Sequence, residues 1–89
     1  EYDKISDESK DFVKTGWDYF DNKDYDNAYL YFSKAIELSP NYGHAHYMLG
    51  ISIHYKGDNW EEALLHYQKA AELGNEEAQK YLRGNGYSW

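Results

Sequence analysis

The sequence predicts an all-α fold, a stack of antiparallel helix hairpins, on three observations. Apolar residues recur at spacings of three and four along nearly the whole chain, with no strand-like alternation. Capping residues and glycines punctuate that pattern at short intervals. One stretch is written twice: Asp24 to Pro40 reads "DYDNAYLYFSKAIELSP", and Asn59 to Asn75 reads "NWEEALLHYQKAAELGN". Both carry a small residue, an aromatic, a Lys-Ala pair and a closing Glu-Leu in the same order.

The first predicted helix carries Phe12, Val13, Gly16, Trp17, Tyr19 and Phe20, with Ser6 or Asp7 as its cap and Asp7 and Glu8 at its positive end. "DNKD" interrupts it, and Asp24 caps a second helix bearing Tyr25, Ala28, Tyr29, Phe32, Ala35, Ile36 and Leu38. Pro40 prevents continuation. A third helix runs from about Gly43 to Lys56 with Tyr47, Leu49, Gly50, Ile51 and Ile53. Gly57 can take the left-handed terminal conformation, and Asp58 or Asn59 caps the next helix. This fourth helix carries Trp60, Ala63, Leu64, Tyr67, Ala70, Ala71 and Leu73, and Gly74 stops it. A short fifth helix, about Asn75 to Arg83, shows Ala78, Tyr81 and Leu82. "GNGYSW" reads as a loose tail whose Tyr87 and Trp89 can fold back.

The repeat has a measurable period. Gly16 to Gly50 is 34 residues; Ala28 to Ala63, Phe32 to Tyr67 and Ala35 to Ala70 are each 35. One residue is therefore inserted in the second helix-helix turn. Gly16 and Gly50 lack side chains, so a partner helix can come close there; the four alanines serve the same end from the other side, and Phe32 and Tyr67 fill the space between. A helix pair alone cannot bury its apolar face, so copies stack. The first copy reads Phe12-x2-Thr15-Gly16-x2-Tyr19, then Ala28-x3-Phe32, Ala35 and Pro40. The second reads His46-x2-Leu49-Gly50-x2-Ile53, then Ala63-x3-Tyr67 and Ala70, with Asn75 in place of proline. This pattern resembles two tetratricopeptide repeats, from about Ser9 to Leu82, and the ending "AAELGNEEAQKYL" is similar to the related Sel-like repeats. The resemblance implies a right-handed stack in one domain over 1–89. It places repeat 1 at about 9–42, repeat 2 at about 43–75, and a capping helix with its tail at about 76–89. Thr15, His46 and the missing second proline depart from the family pattern.

Composition narrows the function. The 89 residues carry 9 basic and 16 acidic side chains, a formal charge of −7. That excludes the basic footprint of nucleic-acid binding and disfavours anionic membranes. A charge-steered partner would be basic or neutral, although acidity alone also keeps a domain soluble. Without cysteine the chain has neither disulfides nor thiolate metal sites. No apolar run approaches the roughly 20 residues of a membrane span, and no signal peptide is visible. The compartment stays open, with the cytoplasm preferred.

Candidate chemistry is sparse. His44 and His46 point to different helix faces, His54 and His66 lie on separate helices, and no spacing resembles a zinc site. His46 holds an aromatic landmark and reads as a packing residue. Ser33, Ser39 and Ser52 lack a nucleophile elbow. Asp3, Asp7, Glu8 and Asp11 read as a charged leading segment, and "RGNG" comes after a helix where a phosphate loop would open one. The sequence therefore implies no enzyme, no metal and no cofactor.

A surface remains. In the family it resembles, the first helix of each pair lines a concave groove. The stripe here is Val13, Trp17, Phe20 and Asp21, then Tyr47, Ile51, His54 and Tyr55, at i, i+4, i+7 and i+8. An aromatic patch of this kind marks contact, unless the terminal segments cover it. Some family members clamp a C-terminal carboxylate with Lys and Asn where Val13, Trp17, Tyr47 and Ile51 stand here, so the resemblance argues against that clamp. The expected function is a non-enzymatic protein-interaction module that takes a basic or apolar peptide or helix on Val13, Trp17, Phe20, Tyr47, Ile51, His54 and Tyr55, as a monomer. The competing expectation is a piece of a longer solenoid or a self-associating scaffold.

Overall fold

The computed structural model describes residues 4–57 and 59–89. Five helices succeed one another: α1 Asp7–Asp21, α2 Tyr25–Leu38, α3 Gly43–Lys56, α4 Trp60–Glu72 and α5 Glu76–Gly84. Each packs mainly on its neighbours in sequence, as a stack of helix hairpins requires, and the described residues contain no strand.

Local chemistry sets the boundaries. The Ser6 side chain accepts from the Ser9 amide at the start of α1. Asp24, Asn59 and Asn75 cap α2, α4 and α5 in the same way, through the amides of Asn27, Glu62 and Ala78. Such caps satisfy amides that a helix start leaves free. Asp58, the alternative cap of α4, and Asp3, in the charged leading segment, lie outside the described residues. Gly57 ends α3 with φ of 83°, a conformation that suits a residue without Cβ.

The core is built on the repeat landmarks. Ala28, Ala35, Ala63, Ala70, Phe32 and Tyr67 are all buried. A Cβ on Gly16 would sit 2.7 Å from the Phe32 ring; one on Gly50 would sit 3.0 Å from the Tyr67 ring. The glycines therefore mark the closest helix-helix approaches. Fully burying an aromatic ring contributes about 2–3 kcal/mol. Ala78 and Leu82 let α5 cover the open side of α4. The tail folds back too: the Gln68 side chain donates to the Ser88 carbonyl at 2.8 Å, and Tyr87 lies 6.2 Å from Trp60.

Candidate functional site

α1 and α3 lie side by side with a groove of about 560 Å³ along them. Val13, Trp17, Tyr47 and Ile51 line it, so four of the seven predicted partner-binding residues come together. Val13 is buried and forms floor; Trp17 is 44% exposed and forms wall. Helix arithmetic gives the reason. Counted around the axis from Gly16 or Gly50, these residues stand about 60–100° away from the helix contact.

The other three separate from the groove. Phe20 and His54 each stand four residues after the glycine, only about 40° from the helix contact. Phe20 therefore turns toward α2, with its ring 5.5 Å from Trp17 and edge-on to Tyr25 and Tyr55. His54 turns toward α4, where its Nδ1 meets the Tyr67 hydroxyl at 3.0 Å and its ring lies 5.0 Å from Trp60. Tyr55 is exposed at the end of α3, against Phe20. Trp60, Tyr67, Tyr81 and Tyr87 gather around His54 as a second aromatic cluster. Burial there pushes the Tyr67 hydroxyl well above the ordinary tyrosine range, so it stays protonated as a donor.

Sequence reasoning missed part of the groove. Lys10, Lys14, Tyr42, His44, Met48 and Glu77 line it as well. Lys10 and Lys14 continue the α1 stripe at i−7 and i−3 from Trp17, a spacing that could have revealed them. Glu77 arrives on α5, and nothing in its local sequence signals that. The groove's rim is thus of mixed charge, and the overall acidity of the chain does not carry into it.

His46 is buried, as a packing residue should be, with Nε2 3.0 Å from the Pro40 carbonyl and Nδ1 without a partner. It stacks on His66 at 5.8 Å. Burial holds both imidazoles below the usual histidine range. Among the described residues no group of three His, Asp or Glu side chains could hold a metal, and no helix is long and apolar enough to cross a membrane.

The comparisons with known proteins agree with the architecture. The tetratricopeptide repeat family model matches residues 10–42, which span the first hairpin. Over 57 residues, 64% of this chain, the sequence is 37% identical to the Photosystem I assembly protein Ycf3 of Acaryochloris marina (strain MBIC 11017). The chain spans about a third, 34%, of that relative's length.

Proposed function

We propose that this chain is a non-enzymatic protein-interaction module, one domain of two helix-pair repeats and a capping helix, which seats an apolar peptide or helix in the groove between α1 and α3. One observation carries the reading: Trp17, a large aromatic, stays 44% exposed in a groove also lined by Val13, Tyr47 and Ile51. Exposed tryptophan over a buried apolar floor is the kind of feature that anchors a partner segment. Lys10 and Lys14 on one side and Glu77 on the other orient the segment by charge. The repeat family supports the reading, because tetratricopeptide repeats generally mediate protein–protein contact. So does a relative named as an assembly protein.

The test is titration of a peptide library against a chain whose sole tryptophan is Trp17, with Trp60→Phe and Trp89→Phe removing the other two. A binder that shifts Trp17 emission supports the groove. Silence across the library at high concentration counts against it.

The competing reading, a piece of a longer stack or a self-associating scaffold, is favoured by the side of α1 and α2 that carries no further helix among the described residues. Sedimentation tests its self-association arm, which predicts a mass that grows with concentration.

A further inference from the structure

Among the described residues, α1 packs on α2 and, slightly, on α3, while α2 packs on α1 and α3; no other helix lies against the outer side of this first pair. The register of the repeat says what that side resembles. Phe12, Thr15 and Tyr19 on α1 stand 34 residues before His46, Leu49 and Ile53 on α3. The α3 residues are all buried. α2 lies against α3: the turn after it brings the Pro40 carbonyl 3.0 Å from His46 Nε2, and Tyr25 and Tyr29 share a cleft with Ile53. The α1 residues, with the same backbone register and no such neighbour, are only half-buried.

The second helices of the two pairs repeat the correspondence. Tyr31 stands 35 residues before His66 and Lys34 stands 35 before Lys69. Phe12 and Tyr31 pair at 6.1 Å where His46 and His66 pair at 5.8 Å. Tyr19 stacks on Tyr31 at 5.5 Å, and Leu38, exposed, extends the apolar stripe along α2. Lys34 lies over the Tyr31 and Phe12 rings. It does not bar docking, since a lysine at the matching place in the second copy coexists with a filled interface.

We propose that Phe12, Tyr19 and Tyr31 form a second docking surface, which receives an amphipathic helix of another protein as α3 receives α2. The occupant carries apolar side chains at i and i+4, as α2 carries Tyr25 and Tyr29. Exposed Glu8 and Asp11 border the surface and call for basic residues flanking that stripe. A second copy of this chain fits worse, because it brings another formal charge of −7 to the same rim. The proposal is independent of the groove between α1 and α3.

The experiment uses the full isotope-labelled chain and a lactam-stapled helical peptide spanning residues 24–42, with Asp26→Lys and Glu37→Lys in the peptide. Saturable amide shifts confined to the surroundings of Phe12, Tyr19 and Tyr31 are expected. Tyr31→Glu in the chain should weaken binding by about tenfold or more, and Trp17→Ala should leave it unchanged. If Tyr31→Glu lowers the melting temperature, Leu38→Glu takes its place with the same expected loss. The proposal is overturned by no saturable shift up to about 1 mM peptide, or by shifts that map to Trp17, Tyr47 and Ile51. It is equally overturned by concentration-dependent shifts at Phe12, Tyr19 and Tyr31 in the chain alone, which would assign the surface to a second copy.

Discussion

In the first helix pair Gly16 faces the ring of Phe32; in the second Gly50 faces the ring of Tyr67. Around these matched contacts the two pairs diverge. Tyr67 adds a buried hydroxyl that needs a partner, and His54 supplies it. The corresponding place in the first pair holds Phe20, which suits a ring with no hydroxyl. At the open end of the first pair, buried Ser9 and Ser39 join hydroxyls at 2.7 Å, and Ser6 joins Ser9 at 2.8 Å. The second pair has Gly43 and Gly74 at the matching positions, and a Cβ on Gly43 would meet Leu73 at 3.3 Å. One end is closed by a hydrogen bond and the other by close approach. The landmarks set how the helices cross, and coordinated changes elsewhere satisfy whatever groups each copy buries.

The largest expected effect separates the two glycines. An added methyl at Gly16 meets a fully buried ring at 2.7 Å, so Gly16→Ala is expected to lose about 1–3 kcal/mol by overpacking. At Gly50 the nearest ring atom is 3.0 Å and the Ala63 carbonyl 3.2 Å away, a smaller overlap; the helix-propensity gain of about 1 kcal/mol is common to both sites, so Gly50→Ala should stay within about 1 kcal/mol of the parent. Urea titration of both variants measures the difference. Equal losses would mean that the two contacts are equally tight.

Ser39→Ala removes the hydroxyl that meets Ser9 and accepts from the Ser6 amide, and is expected to cost about 1 kcal/mol. Gly74→Ser, the reverse experiment in the second pair, should lose stability, because Gly74 holds φ of 93° and Gly43 offers no side chain to bond. Thermal melting distinguishes a working clasp from an ornament.

Acid should act mainly on the second pair. His46 and His66 are held below the usual histidine range by burial, with Lys69 opposing charge on His46, and Glu62 favouring it on His66. The unfolded chain therefore binds more protons than the folded one as pH drops below about 6.5, and stability falls in that direction. Stability from these groups is complete above that value. The double variant His46→Phe, His66→Tyr copies Phe12 and Tyr31 of the first pair. Its melting temperature should lose the dependence between about pH 5 and 7; an unchanged slope would assign the effect elsewhere.

The smallest effect compares the two turns. Lys23 holds φ of 62° where its counterpart, Gly57, holds 83°. A side chain in that region is strained, so Lys23→Gly should be neutral to stabilising by about 0.5–1 kcal/mol. A loss in thermal melts would show that Lys23 makes a contact worth more than its strain.

Much of the fold is legible in the sequence, for physical reasons. Asp24, Asn59, Gly57 and Gly74 announce their helix ends because capping is local chemistry. Val13, Trp17, Tyr47 and Ile51 share a groove because their angle from the glycines is set by helix geometry. Spacing alone groups Phe20 and His54 with them, and an i+4 step from a contact glycine leads back toward the contact. The serine clasp is illegible, since Ser9 and Ser39 meet only through the tertiary fold. Glu77 reaches the groove for the same kind of reason, carried there by the packing of α5.

The status of Trp17 decides between a surface that binds and one that merely packs. Circular dichroism melting of Trp17→Ala, paired with titration of any peptide that shifts its emission, measures both at once. A groove tryptophan leaves helicity and melting nearly intact while binding weakens by about 2 kcal/mol or more. A core tryptophan would cost about 3–5 kcal/mol and collapse a domain of this size, and that collapse would contradict the groove.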